Sequence, residues 1–377
     1  MMKKRILLLC CLSLMSINLN AEDVVGLEEN MNISKVSHKV ESRKDDDVQF
    51  ALELGAKTDF WNPGLPKEEG GEELLKYDTE GLYLGYATFK TKIYGTDVLT
   101  FEKFGTLKSS DNQDQLLEQY KDNRKKDTSF QGYKASIEIM KIVNYLFDTK
   151  ILEGLGYQYT NRNFISTAMA NKDSVYWFGS NPGLITQDYI NLTKGNKISF
   201  ATTFRNHELF YKFRKYRHEF LNSKVDSSNK DSQYFMFGFF DKEWEKPTYL
   251  GTYYNSNPLI FDATYKSRGI LLGLGIESSS FDVELKYSKG LNDDIQLSNL
   301  GSANNYINGK TSMDEVEFSL LKRFPDIYTS NYYDIDLILN GNALYTDIKQ
   351  ETSSNQKGVD VDAETIYSVG VSFEIIF

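Results

Sequence analysis

The chain has 377 residues, is 40% hydrophobic, 25% charged and 14% aromatic, and carries a net charge of −10 from 43 basic and 53 acidic residues. Six prolines against 26 glycines, with 25 Tyr and 24 Phe, exclude collagen-like, proline-rich and coiled-coil classes. The acidic balance argues against nucleic acid as a partner.

Met1 to Ala21 reads as a secretory signal peptide. Lys3, Lys4 and Arg5 precede the apolar run Ile6 to Ile17, and Leu19-Asn20-Ala21 fits a small-residue cleavage site. Both cysteines, Cys10 and Cys11, fall inside this segment. The remainder is therefore expected to carry no disulfide and no thiol chemistry. Beyond the leader there is no apolar run of about 18 residues, so no transmembrane helix is expected. Residues 22–47 are polar, end in Lys44-Asp45-Asp46-Asp47, and read as a flexible lead-in or a small plug.

From Val48 onward the pattern has period two, the spacing of side chains on opposite faces of a strand. Val48, Phe50, Leu52 and Leu54 alternate with Gln49, Ala51 and Glu53. Phe281, Val283, Leu285 and Tyr287 alternate with Asp282, Glu284 and Lys286. Val316, Phe318 and Leu320 alternate with Glu315, Glu317 and Ser319. Ile335, Leu337 and Leu339 alternate with Asp334, Asp336 and Asn340. Several runs approach the roughly 9–11 residues that a tilted strand needs to cross a bilayer. Two stretches are ambiguous. Ser136 to Phe147 reads as strand or helix, because Ile139, Ile142, Val143 and Leu146 share a helical face. Residues 173–232 divide poorly, and a tight turn is expected at Asn206-His207 between strands 196–205 and 208–217.

At the end of the chain, Tyr367, Val369, Val371, Phe373, Ile375 and Phe377 alternate with Ser368, Gly370, Ser372 and Glu374. This run resembles the last strand of Gram-negative outer-membrane β-barrel proteins. Ser368, Gly370, Phe373, Ile375 and terminal Phe377 stand where that family carries its assembly signal. The resemblance implies recognition by the barrel-assembly machinery, export to the cell outer membrane, and lipid and lipopolysaccharide as surroundings.

The expected fold is all-β: a transmembrane antiparallel barrel over residues 48–377 with about fourteen strands, or about twelve as the alternative count. Short turns are expected at 277–280 and 323–333. Long outer loops are expected at 105–131, 242–265, 289–313 and 346–365. Closure follows from the solvent, since an open sheet would leave unpaired N–H and C=O groups in hydrocarbon at several kcal/mol each.

Sites for covalent chemistry are poor. His38, His207 and His218 have no His or Cys partner at ligand spacing, so no metal, cofactor or catalytic residue is expected. The inward charges carry more information. Turning large apolar residues to lipid directs Lys197, Arg205, Lys212 and Arg214 to the lumen. The acidic candidates are Glu53, Asp282, Glu284, Glu315, Glu317, Asp334, Asp336 and Glu374. In a fourteen-strand ring the basic group would face the acidic group across water, a transverse field resembling the constriction of diffusion porins. The expected function is passive passage of small hydrophilic solutes, without enzymatic activity. The alternatives are a surface barrel whose loops bind a partner, or a barrel enzyme acting on lipid or peptide.

Overall fold

The computed structural model describes residues 48–65, 73–76, 81–93, 96–108, 129–149, 154–177, 189–216, 232–254, 257–278, 280–297, 309–330, 332–352 and 363–377. The expected leader and lead-in, His38 and His218 lie outside these residues, as does most of the expected loop 105–131.

Twelve strands close into an antiparallel barrel. In chain order they are β1 (Val48–Asn62), β2 (Leu82–Ile93), β3 (Thr96–Lys108), β4 (Ser129–Ile137), β5 (Leu155–Ala170) and β6 (Lys197–Tyr216). They continue as β7 (Ser232–Tyr254), β8 (Asn257–Glu277), β9 (Phe281–Leu297), β10 (Gly309–Thr329), β11 (Asp334–Thr352) and β12 (Glu364–Ile376). Each pairs with its neighbours in the chain, and β12 returns to β1 with Leu54 opposite Phe373. The last backbone N–H, of Phe377, donates to Phe50 O at 2.8 Å, so both ends of the barrel sequence meet at one rim. We call this the terminal rim and the opposite one the distal rim. The ring has no edge strand, and its ladder groups are paired within the sheet.

The strand count corrects the first expectation at two places. Asn206 and His207 form no turn. They sit in ladder register opposite Lys242 and Asp241, and β6 runs through them for 20 residues. Neither residue demands a positive φ, and Asn206 satisfies its amide by donating to Glu208 at 2.8 Å. Within the stretch that divides poorly, Ser174–Trp177 forms a short strand that pairs parallel to β8 at the distal rim and antiparallel to Tyr189–Leu192. Both short strands lie off the ring.

The expected outer loop at 242–265 is also regular. β7 and β8 stay in register to Tyr249 opposite Ile260 and rejoin at Tyr254 opposite Asn257. The ambiguous stretch after β4 is both things in turn: strand to Ile137, then helix α1 (Ile139–Phe147) at the terminal rim. The helix ends where Asp148 takes a left-handed φ of 55°. Its Ile142 is buried with Val48, Ile93 and Val98.

The barrel is inverted relative to a water-soluble one. Leu54, Phe89, Phe213, Phe239, Leu274, Leu285, Phe318 and Phe373 are all exposed on the outer face. Glu53, Thr88, Lys90, Glu208, Lys242, Lys286, Glu315 and Glu374 are buried on the inner face. In β12 the alternation is complete: Tyr367, Val369, Val371 and Phe373 are exposed, while Ser368, Ser372 and Glu374 are buried.

Candidate functional site in the barrel interior

The interior is built from charges that bond across the ring. Lys286 of β9 reaches Glu208 of β6 at 3.0 Å and Glu317 of β10 at 2.7 Å. Lys242 of β7 pairs with Glu315 of β10, whose other oxygen accepts from Thr346 Oγ1 at 3.0 Å. Lys90 and Lys92 of β2 hold Glu374 of β12 at 2.8 and 2.6 Å. Lys90 also binds Glu53, and the Tyr86 hydroxyl donates to Glu53 at 3.1 Å. Asn340 of β11 donates to the Tyr86 oxygen at 2.7 Å. Near the terminal rim Arg214 of β6 clamps Glu277 of β8 and Glu138, the residue before α1. Lys212 joins Glu277 at 3.0 Å. Burial of unpaired charge is costly, and each bridge supplies both the opposite charge and the hydrogen bonds it requires.

Two adjoining cavities remain. The larger, of about 490 Å³, lies in mid-barrel between the β1–β6 wall and the β8–β12 wall. The smaller, of about 250 Å³, reaches toward α1 and is lined by Asp97, Glu138, Lys141, Arg214 and Arg323. Lys212, Glu277, Glu284 and Lys286 line both, so the bridges stand between the chambers.

Toward the distal rim the interior turns apolar. Trp61 stands edge-on to Phe164, with ring centroids 3.7 Å apart, and stacks on Phe130 at 6.1 Å. Leu65, Leu74 and Leu75, from the segment joining β1 to β2, are buried with them. Leu75 and Lys76 form a short ladder with Ala170 and Met169 of β5. This connection folds into the mouth, and Trp61 Nε1 donates to Glu364 at 3.0 Å. A second inward cluster holds Phe204, Phe210, Met236, Phe240 and Trp244.

These placements revise the expected site. Arg205 points outward, with half of its side chain exposed, and pairs with Glu243 on the outer surface at 3.3 Å. Lys197 shares its parity and stands opposite the exposed Met169. The cause is the missing turn. In one continuous β6 the even-numbered residues face in from Ile198 to Arg214, so Phe200 and Phe204 are inside and the odd-numbered basic residues outside. Lys212 and Arg214 do face the interior.

Among the acidic candidates, Glu53, Glu315 and Glu317 line the larger cavity, and Asp282 and Glu284 line both. Glu374 is fully buried under Lys90 and Lys92, and Asp336 accepts the Asp326 N–H at 2.9 Å. Asp334 begins β11 at the terminal rim, opposite Ile376. Acidic and basic residues do not form facing walls, because Lys90, Lys92, Lys242 and Lys286 neutralise carboxylates from within the acidic side or across the ring. Sequence reasoning set Lys286 on the polar face of its strand without counting it among the lumen cations, and it missed Lys90, Lys92 and Lys242 as well as Lys57, Lys134 and Arg162. Alternation carried the signal for Lys90 and Lys92, which share the parity opposite to that of exposed Phe89.

Among the described residues no group of three or more His, Cys, Asp or Glu is placed to hold a metal. His207, on the outer face, bonds the Tyr157 hydroxyl at 2.6 Å.

No family model matches the chain, and no curated protein matches it. Solved structures with some likeness include the outer membrane protease OmpT from Escherichia coli, at 9% identity and TM-score 0.26, covering 87% of this chain and 94% of that one. The CymD monoaromatic hydrocarbon channel has 8% identity and TM-score 0.28, covering 89% and 90%. Pseudomonas putida OprB has 8% identity and TM-score 0.25, covering 87% and 94%. Likeness at this level assigns no activity.

Proposed function

We propose that the chain is an integral outer-membrane barrel that passes small hydrophilic solutes by diffusion. The observation that carries this reading is the inversion of polarity, with a largely apolar outer face around a charged interior that holds two adjoining cavities. In water the outer belt would be a large unsatisfied apolar surface. In lipid it is the solvent-matched face, and the closed ladder leaves no strand edge in hydrocarbon. The terminal rim then faces the periplasm and the distal rim the exterior. Lys289 and Asp314 pair at 2.8 Å beside outward Tyr287 and mark the outer interface, with Lys266 and Arg268 bound to Glu243 and Asp241. Ser368, Gly370, Phe373, Ile375 and Phe377 then present the last strand to the assembly machinery.

A charged, hydrogen-bonding wall lowers the cost of entry for polar solutes and raises it for apolar ones. The bridges and the aromatic mouth make the path narrow. The test is unitary conductance of the refolded chain in a planar bilayer under a salt gradient. Small, discrete, reproducible steps are expected. A folded barrel that never conducts, at any voltage and in any of several lipids, overturns the reading.

A further inference from the structure

The larger cavity contains three cations that take no part in the bridges across the ring. Arg162 of β5 lies over the ring of Phe204, 4.1 Å from its centroid, and has no carboxylate partner among the described residues. Lys134 of β4 lines the same cavity, makes no direct hydrogen bond or ion pair among the described residues, and acts on Glu317 only through space. Lys57 of β1 sits 4.7 Å above Phe104 and only 3.8 Å from Asp59 at its nearest oxygen. These three come from the β1–β5 side of the ring.

The same cavity also contains oxygens with nothing to accept. Asp59 Oδ1, Asn206 Oδ1 and Asn342 Oδ1 are buried without a hydrogen-bond partner among the described residues. Asp59 is 2% exposed and Asn206 5%. The amide orientations are fixed by their other ends, because Asn206 Nδ2 donates to Glu208 and Asn342 Nδ2 to Glu317. The free atom is therefore the acceptor in both. Buried polar atoms are ordinarily satisfied, and exceptions call for a missing partner. Loosely held cations and open acceptors in one chamber suit a ligand with both an anionic group and donors.

We propose that this chamber is a subsite for a small zwitterion of the amino-acid or short-peptide class. Its carboxylate turns toward Lys134 and Arg162, and its ammonium toward the open acceptors that line the same chamber. A cavity of about 490 Å³ is in the range of small-molecule sites. A neutral sugar uses the acceptors but leaves the cations unpaired. A dianion places its second charge near Asp59 and Glu102, which line the same space. The subsite rests on the interior being a solute path, and its test is made separable from conduction.

The full refolded chain in detergent is titrated by calorimetry with glycylglycine, succinate and maltose as probes. Glycylglycine is expected to bind at least about tenfold more tightly than either of the others. The double variant Lys134→Gln with Arg162→Gln is expected to lose about tenfold for glycylglycine alone. Equal affinity for the three probes, or unchanged glycylglycine affinity in the variant, overturns the subsite. If the double variant does not fold, Lys134→Gln alone serves, since it leaves no bonded partner behind. Parallel bilayer recordings separate the two readings. A silent barrel that binds glycylglycine selectively keeps the subsite and removes the channel, whereas a conducting barrel without selective binding keeps the channel and removes the subsite.

Discussion

Lys286 Nζ lies 3.0 Å from Glu208 Oε1, although their strands, β9 and β6, are separated in the ring by β7 and β8. The bond is a chord across the interior rather than a rung between neighbours. Lys242 to Glu315 and Tyr86 to Asn340 also skip two strands. Such chords fix the cross-section of a barrel from inside, and the Lys286 chord lies on the wall that the two cavities share.

Lys286→Met removes the chord and leaves Glu208 and Glu317 without their shared cation. Breaking a buried pair by deleting one partner costs about 3–5 kcal/mol. The heat-induced mobility shift of the folded barrel on a cold denaturing gel should move to lower temperature. Unitary conductance should rise, because the chord no longer ties the walls together between the cavities. The triple change with Glu208→Gln and Glu317→Gln should recover most of the stability while keeping the higher conductance. Unchanged conductance in both variants would show that Lys286 does not bound the passage.

Parity in β6 predicts opposite behaviour for two arginines nine residues apart. Arg205 is on the outer face in an exposed pair with Glu243, so Arg205→Ala should change stability by no more than about 1 kcal/mol and leave reversal potential unmoved. Arg214 is buried between Glu138 and Glu277. Arg214→Met should loosen the junction of β4 with α1 and shift reversal potential toward cation selectivity. Equal shifts in the two variants would contradict the continuous strand.

The barrel itself was legible because a lipid-facing sheet needs only alternation, and alternation survives in sequence. β9, β11 and β12 begin within three residues of Phe281, Ile335 and Tyr367, whereas β10 runs from Gly309 to Thr329, beyond the apolar face at Val316 and through part of the expected turn at 323–333. β6 did not read as one strand, because its inner face carries Phe200, Phe204 and Phe210 where the rule expects polar residues. An aromatic inside the barrel and an aromatic facing lipid look alike in sequence, and reading them as lipid-facing required a false break at Asn206. The pairing of charges was illegible for a different reason. Glu374 and Lys90 are 284 positions apart, and which cation meets which carboxylate depends on the stagger of the closed ring.

Gly55 on the inner face of β1 is required by contact rather than by backbone angle. A Cβ placed there would lie 2.4 Å from the Tyr86 ring and 2.6 Å from Ser372 Cβ. Gly55→Ala therefore displaces Tyr86 from its bonds to Glu53 and Asn340. The expected loss is about 1–3 kcal/mol of overpacking strain. It should be seen in urea unfolding from lipid vesicles, with near-ultraviolet circular dichroism reporting the tyrosine. The paired change Gly55→Ala with Tyr86→Leu removes the clash and should restore part of the stability, and failure to do so would assign the cost to another contact.

The two faces of β12 supply the most direct check on the membrane reading. Val371 is exposed on the outer face near the middle of the strand, and Ser368 is buried on the inner face beside the larger cavity. A lysine at a lipid-facing midplane position costs about 2–4 kcal/mol, whereas one in an aqueous lumen can be solvated there. Val371→Lys should therefore lower stability in vesicles by that amount, and Ser368→Lys by distinctly less. In water the order reverses, since an outer lysine is hydrated and an inner one must be buried. Urea unfolding from vesicles compares the two variants directly. A smaller penalty for Val371→Lys than for Ser368→Lys would mean that the apolar belt does not face lipid.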